Sequence, residues 1–140
     1  MLERFKRWRE ERGKFPEKLR AELEAEGPEV IEEQVPLEAI FRGYTAAGQR
    51  PRSGHQSERG SVALTPERLV VHGTGNLSLE VPRDATWLTA TNPAPDRLKL
   101  AYEAGDVYAS RAGSVELELQ TPRAADIHAR LQAWMETPSS

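Results

Sequence analysis

The chain has no cysteine, which excludes disulfides, zinc–thiolate sites and thiol catalysis. No apolar run approaches the ~18 residues that a membrane-spanning helix requires. The first residues are charged almost throughout and form no apolar signal-peptide core, so a cytoplasmic protein is expected. Histidine is scarce. His55, His72 and His128 lack metal-ligand spacing and read as surface side chains, and no metal or cofactor site is implied. Asp126 and His128 are two apart on an expected helix and do not share a face. Gly73-Thr74-Gly75 is not followed by a helical pattern, so it is no phosphate-binding loop. No serine stands in a nucleophile-elbow context. Acid–base chemistry needs two carboxylates in one pocket. Glu32-Glu33, Glu116 and Glu118 are the obvious carboxylates, and the last two alternate with Val115, Leu117 and Leu119, which puts them on a solvated strand face. These absences argue against an enzyme.

What is present is one ordinary domain's worth of chain, 140 residues with 38% hydrophobic and 29% charged side chains. The net charge of −3 is unevenly spread. Residues 1–20 carry eight Lys/Arg against four Glu, a net +4, and the remainder carries 11 basic against 18 acidic residues, a net −7. A basic arm on an acidic body steers toward anionic partners or docks on its own body.

Leu2, Phe5 and Trp8 recur at helical spacing, and a first short helix is expected over 2–12. Gly13 breaks it. Pro16 opens a second over about 16–26, with Phe15, Leu19 and Leu23 at four-residue spacing, and Gly27-Pro28 stops that one. The expected organisation is therefore an N-terminal helical arm (1–28), a β domain (29–136) and a short tail (137–140). From Glu29 the pattern turns extended, through Leu37 to Thr45. Residues 46–60, rich in Gly, Ser, Arg and Gln, read as a long loop. Gly60 to Gly73, GSVALTPERLVVHG, is two short apolar strands joined by Thr65-Pro66-Glu67-Arg68. Thr65 is placed to hydrogen-bond back to the turn, Pro66 presets a turn dihedral, and Arg68 is expected to pack its stem and expose its head. Further strands are expected at 77–81, 85–91, 97–103, 107–110 and 114–120, with a loop at 92–96. Thr121-Pro122 then starts a helix whose Ala124, Ile127, Leu131 and Trp134 share one face and which ends near Glu136.

This order resembles the pleckstrin-homology (PH)-like superfold, in particular its GRAM-like and small bacterial PH-like domains. The residues that carry the resemblance run from Gly60 to Val71 and look like a G-x-L-x-L-T-x-x-R-L strand–turn–strand. Leu79-Glu80-Val81-Pro82 resembles the strand that follows. The resemblance covers about residues 29–136. It implies a mainly β (α+β) fold, an antiparallel seven-stranded barrel or sandwich capped by a C-terminal helix. The two N-terminal helices and the size of the 46–60 loop go beyond it. It also implies binding of a lipid headgroup, a peptide or a protein, without catalysis.

Two stretches are candidate sites. The first is Arg50, Arg52, His55 and Arg59. In PH-like folds the loop between the first two strands often grips phosphate, and Arg suits bidentate phosphate binding; the bland alternative is a solvated loop. The second is the arm, with Leu2, Phe5 and Trp8 beside Arg4, Lys6, Arg7, Arg9 and Arg12. Basic amphipathic helices lie on anionic membranes, but Glu3, Glu10 and Glu11 interrupt the basic face, and packing on the barrel or on a second subunit is the competing reading. The leading expectation is a non-catalytic interaction module that binds a protein partner or itself. The alternative is anionic-lipid binding through the arm and the arginine loop, peripheral at the inner membrane face. A third, nucleic-acid binding, is opposed by the acidic body and by the absence of an aromatic in the arginine loop.

Overall fold

The computed structural model describes residues 12–45, 50, 52–74 and 77–136. Seven strands run in chain order: β1 Val30–Thr45, β2 Arg52–Leu64, β3 Arg68–Gly73, β4 Ser78–Pro82, β5 Thr89–Ala94, β6 Arg97–Glu103 and β7 Ala112–Gln120. Helix α1 is Glu17–Ala25, α2 is a single turn at Ala104–Val107, and α3 is Ala124–Glu136. The strands form one antiparallel sheet in the order β4-β3-β2-β1-β7-β6-β5, curled into a half-barrel.

The curl originates in β1. This 16-residue strand pairs with β2 on one side and β7 on the other, and its register shifts between Glu32 and Val35 and again between Arg42 and Thr45. Gln34 takes a positive φ of 59° at the first shift. Such bulges bend a strand and increase its twist. The inward faces then close on one core that includes Leu37, Val62, Leu79, Leu100 and Leu117. Helix α3 plugs one end of the half-barrel. Its Ala124, Ile127, Leu131 and Trp134 are all buried, and the Trp134 indole N–H donates to the Thr65 carbonyl at 3.0 Å. The Thr121 hydroxyl accepts the Arg123 N–H at 3.2 Å and starts this segment as its Thr-Pro sequence predicts.

A second, smaller core lies on the opposite face of the sheet. Phe15 and Leu23 pack on Ala63 and Val70, joined by Leu19 and Ile31. The segment of the arm from Arg12 to Glu26 is thus docked on the half-barrel, not extended from it. Gly13 permits the approach: its φ is +83°, and a Cβ there would come within 2.8 Å of the Arg59 backbone. The Ser61 hydroxyl donates to the Gly13 carbonyl, and Glu33 accepts the Phe15 N–H at 3.0 Å.

Several expectations are corrected. The segment 46–60 is not a loop throughout, because β2 begins at Arg52. Its polar half pairs with the far half of β1, with Leu37 opposite Glu58 and Phe41 opposite Gly54. Residues of low β propensity are carried here by the backbone ladder of a long neighbouring strand. The strand expected at 85–91 is displaced to Thr89–Ala94, so 92–94 is strand and not loop. Asn92 holds the following turn by donating to the Ala94 and Arg97 carbonyls at 2.6 and 2.7 Å. Residues 107–110 are not a strand; the chain makes the helical turn α2 and then a further turn. The first expected helix, with Leu2, Arg4, Phe5, Lys6, Arg7, Trp8 and Arg9, lies outside the described residues.

The turn at 65–68 forms as its chemistry predicts. The fully buried Thr65 hydroxyl accepts the Glu67 and Arg68 N–H groups, each at 3.1 Å, and lies 2.9 Å from the Glu26 carboxylate as donor. Thr65→Val keeps the shape and removes all of these bonds. We expect a loss of about 1–3 kcal/mol in unfolding free energy, read from a urea transition, because two backbone donors are left without acceptors.

Candidate functional site

Helix α3 fills one end of the half-barrel, and the described residues leave the other end open. There a cleft of about 780 Å³ is bounded by the ends of β1, β2, β6 and β7 and by the connections around Leu77 and Tyr108. Strand alternation decides what faces it. On β2, Gly54, Gln56 and Glu58 continue the inward row that begins with Leu64, Val62 and Gly60. On β6 and β7, Tyr102 pairs with Val115, and Val115 in turn pairs with Phe41 of β1.

The cleft walls are aromatic. Phe41 and Tyr44 meet edge to face with ring centroids 5.5 Å apart, and Tyr102 stacks edge-on against Trp87 at 6.1 Å. Arg111 lies 4.4 Å from the Tyr108 ring centroid and 5.7 Å from that of Tyr44, and its guanidinium donates to the Tyr44 hydroxyl. The Tyr108 hydroxyl reaches across the mouth to the Ser78 carbonyl at 3.4 Å. Burial, reinforced by Tyr108 and Tyr44, pushes the Tyr102 phenol up to about 12, so it stays neutral at physiological pH. Glu58 is the carboxylate of the cleft, and its Oε1 is buried without a hydrogen-bond partner.

Of the residues singled out by the sequence, His55 borders the cleft, and the others that are described lie elsewhere. Arg50 is exposed, and Arg52 is the first residue of β2, opposite Tyr44. His55 and Arg59 belong to the face of β2 opposite to Gln56 and Glu58, four residues or roughly 13 Å apart along the strand. His55 stands 3.6 Å from the Glu38 carboxylate, and Arg59 donates to the Gln34 carbonyl at 2.8 Å. Those two are engaged separately and do not converge. Arg12 is exposed at the turn before the arm's docked segment, and its carbonyl accepts from Gln34 at 3.1 Å.

Two other readings change. His72 is not a surface side chain: it lies beneath the arm with its ring centroid 6.4 Å from that of Phe15, and its Nδ1 is buried without a partner. Burial lowers its pKa, and the Glu58 charge opposes that shift. Arg68 packs its stem but does not expose its head; the guanidinium is gripped by Glu26 at 2.7 Å and Glu80 at 3.1 Å. Glu116 and Glu118 do occupy the outer face, beside Lys99 at 3.5 Å and Arg97 at 2.9 Å.

Apart from His55, the residues of the cleft were not singled out from the sequence, although a signal for some of them exists. Counting back by twos from Leu64 places Glu58 and Gln56 on the inward face once β2 is extended past Gly60. Tyr102 continues the alternation of Leu98 and Leu100, whereas Tyr44 lies past a register shift of β1 and Tyr108 past the helical turn α2, so neither carries such a signal. Chemically, the described residues of the cleft offer ring faces, phenols, one carboxylate, one guanidinium and the imidazole of His55. Among the described residues no three His, Cys, Asp or Glu side chains are grouped to hold a metal ion, and no helix is long and apolar enough to cross a membrane. The chain matches no protein-family model and no curated protein.

Proposed function

We propose that this chain is a non-catalytic, PH-like interaction module that binds a segment of a protein partner at the open mouth of its half-barrel. The observation that carries this reading is the composition of the mouth. Tyrosine and arginine dominate the energetics of protein interfaces, and here Tyr44, Tyr102, Tyr108 and Arg111 gather around one cleft. Tyr108, at 42% exposure, is the one large apolar side chain classed as exposed among the described residues. The strand order and the helix that follows the seventh strand support the PH-like part of the reading. Among the described residues the cleft has a single carboxylate, which supports a binding role over acid–base chemistry.

The test is selection of displayed peptides on the full chain, followed by affinity measurement with Tyr108→Ala. Removing the ring from the mouth is expected to cost about 2 kcal/mol or more of binding, without a change in thermal stability. Sedimentation over a wide concentration range tests a second copy of the chain as the partner. If no selected peptide depends on Tyr108 and the chain stays monomeric, the reading falls. Salt-sensitive binding to anionic vesicles that ignores Tyr108 would instead favour a lipid surface reached through Arg50, Arg52 and the basic arm.

A further inference from the structure

Among the described residues of the mouth one carboxylate lacks a partner, and its chemistry selects the ligand. Glu58 extends from the inward face of β2 into the space beside Gly73. A Cβ on Gly73 would collide with Glu58 Oε1, so the missing side chain there is what gives the carboxylate its seat. That oxygen is buried and accepts no hydrogen bond among the described residues. A buried carboxylate oxygen without a donor is unfavourable, and native structures supply one from the protein, from water or from a ligand.

The nearby basic groups do not supply it: His55, which also lines the cleft, stands 3.6 Å from the Glu38 carboxylate. Arg111 is spread over the Tyr108 and Tyr44 rings and donates to the Tyr44 hydroxyl. His72 belongs to the opposite face of the sheet, since it pairs with Ser61 while Gly73 pairs with Gly60. An incoming anion would meet Glu58 as a like charge. A cation meets both the carboxylate and the aromatic walls, whose ring faces attract positive charge, as the placement of Arg111 already illustrates. The Glu58 carboxylate, which lines the cleft, is answered best by an N–H, which a quaternary ammonium lacks and a primary ammonium or guanidinium provides. A long apolar stem suits the Phe41, Leu77 and Val115 side of the cleft.

We infer that the mouth captures a lysine or arginine side chain of the partner, with Glu58 accepting its N–H and the surrounding rings packing its stem. The inference rests on the reading of the mouth as a partner-binding site, and it names the group that is recognised.

Amide NMR titrations of the full chain test it with three probes: N-acetyl-lysine methylamide, its uncharged norleucine counterpart, and tetramethylammonium. The lysine probe is expected to shift residues 54–58 and 102–111 saturably, with an affinity about tenfold or more above the other two. Glu58→Gln should erase that preference, while Tyr108→Ala should weaken lysine and norleucine alike. Gly73→Ala keeps the charge but displaces the carboxylate from its seat. It should also erase the preference, which separates a positioned acceptor from a diffuse negative field and stands in if Glu58→Gln does not fold. Equal binding of lysine and norleucine, or a preference that survives both substitutions, overturns the inference. So does spermidine binding that depends on Glu58 where the lysine probe does not bind. Selected peptides that need Tyr108 but contain no Lys or Arg overturn it while leaving the interaction-module reading in place; the absence of any Tyr108-dependent ligand removes both.

Discussion

Replacing Trp134 with alanine is expected to lower the unfolding free energy by about 3–5 kcal/mol, the largest loss we anticipate for any single side chain of α3. Trp134 is only 4% exposed. It completes the face begun by Ala124, Ile127 and Leu131 and closes the end of the half-barrel opposite the mouth. Truncation removes the apolar surface of an indole from the core and leaves a cavity, because the sheet around it is fixed by its own ladder and collapses only in part. It also strips the Thr65 carbonyl of the indole N–H that it accepts at 3.0 Å. Trp134→Phe separates the two effects, since most of the volume returns while the hydrogen bond does not. That variant should recover most of the loss and retain a deficit of about 1 kcal/mol. Urea transitions of the three proteins measure both quantities. A loss below about 1 kcal/mol for the alanine variant would mean that α3 does not plug the barrel.

The contrast between the two ends of the half-barrel explains what could be read from the sequence. The plugged end is built from short-range regularities. Ala124, Ile127, Leu131 and Trp134 follow a helical period, Thr121-Pro122 announces the helix, and Leu98/Leu100 and Val115/Leu117/Leu119 alternate as strands must. Each pattern is complete within about ten residues, so burial at this end follows from local sequence. The Thr65-Pro66-Glu67-Arg68 turn is equally local. The open end is not. Its aromatic wall unites Phe41, Tyr44, Tyr102 and Tyr108 because Val115 of β7 pairs with Phe41, far away in sequence, and with Tyr102, and no local period marks Tyr44 or Tyr108. The first half of β2 was obscured for a related reason: its Gly, Ser, Arg and Gln residues pair because β1 is long enough to template them, not because they favour strand. The arginine loop attracted attention as a cluster in sequence, yet alternation places His55 and Arg59 on the outer face of β2 and gives each its own neighbour. Proximity along a strand is not convergence in space, and the cleft shows the converse.

The arm's attachment yields the second prediction of large effect, and its signature is a pH dependence. Glu26 ends α1 and accepts from the Arg68 guanidinium at 2.7 Å and from the Thr65 hydroxyl at 2.9 Å, which ties the arm to the 65–68 turn. The Arg68 hydrogen bond, opposed by desolvation and aided by Thr65, holds the Glu26 carboxyl below its ordinary value of 4.5. A carboxyl with a lowered folded-state pKa contributes its full stability above the unfolded value and loses it as the pH falls through the folded one. Glu26→Gln should therefore cost about 1–2 kcal/mol at neutral pH, the lower part of the range for charged hydrogen bonds because the pair is partly exposed. The gap between variant and parent should close steadily as the pH drops below 4.5. Arg68→Met should cost more than Glu26→Gln, since it leaves Glu22, Glu26 and Glu80 facing one another without their shared cation. Hydrogen exchange then locates the loss. Amides around Phe15 and Leu23 should lose protection before those of β6 and β7, because the clamp holds the arm and not the main core. Urea midpoints of parent and Glu26→Gln that stay equally separated from neutral pH to well below 4.5 would show that the clamp's charge does not stabilise the docked arm.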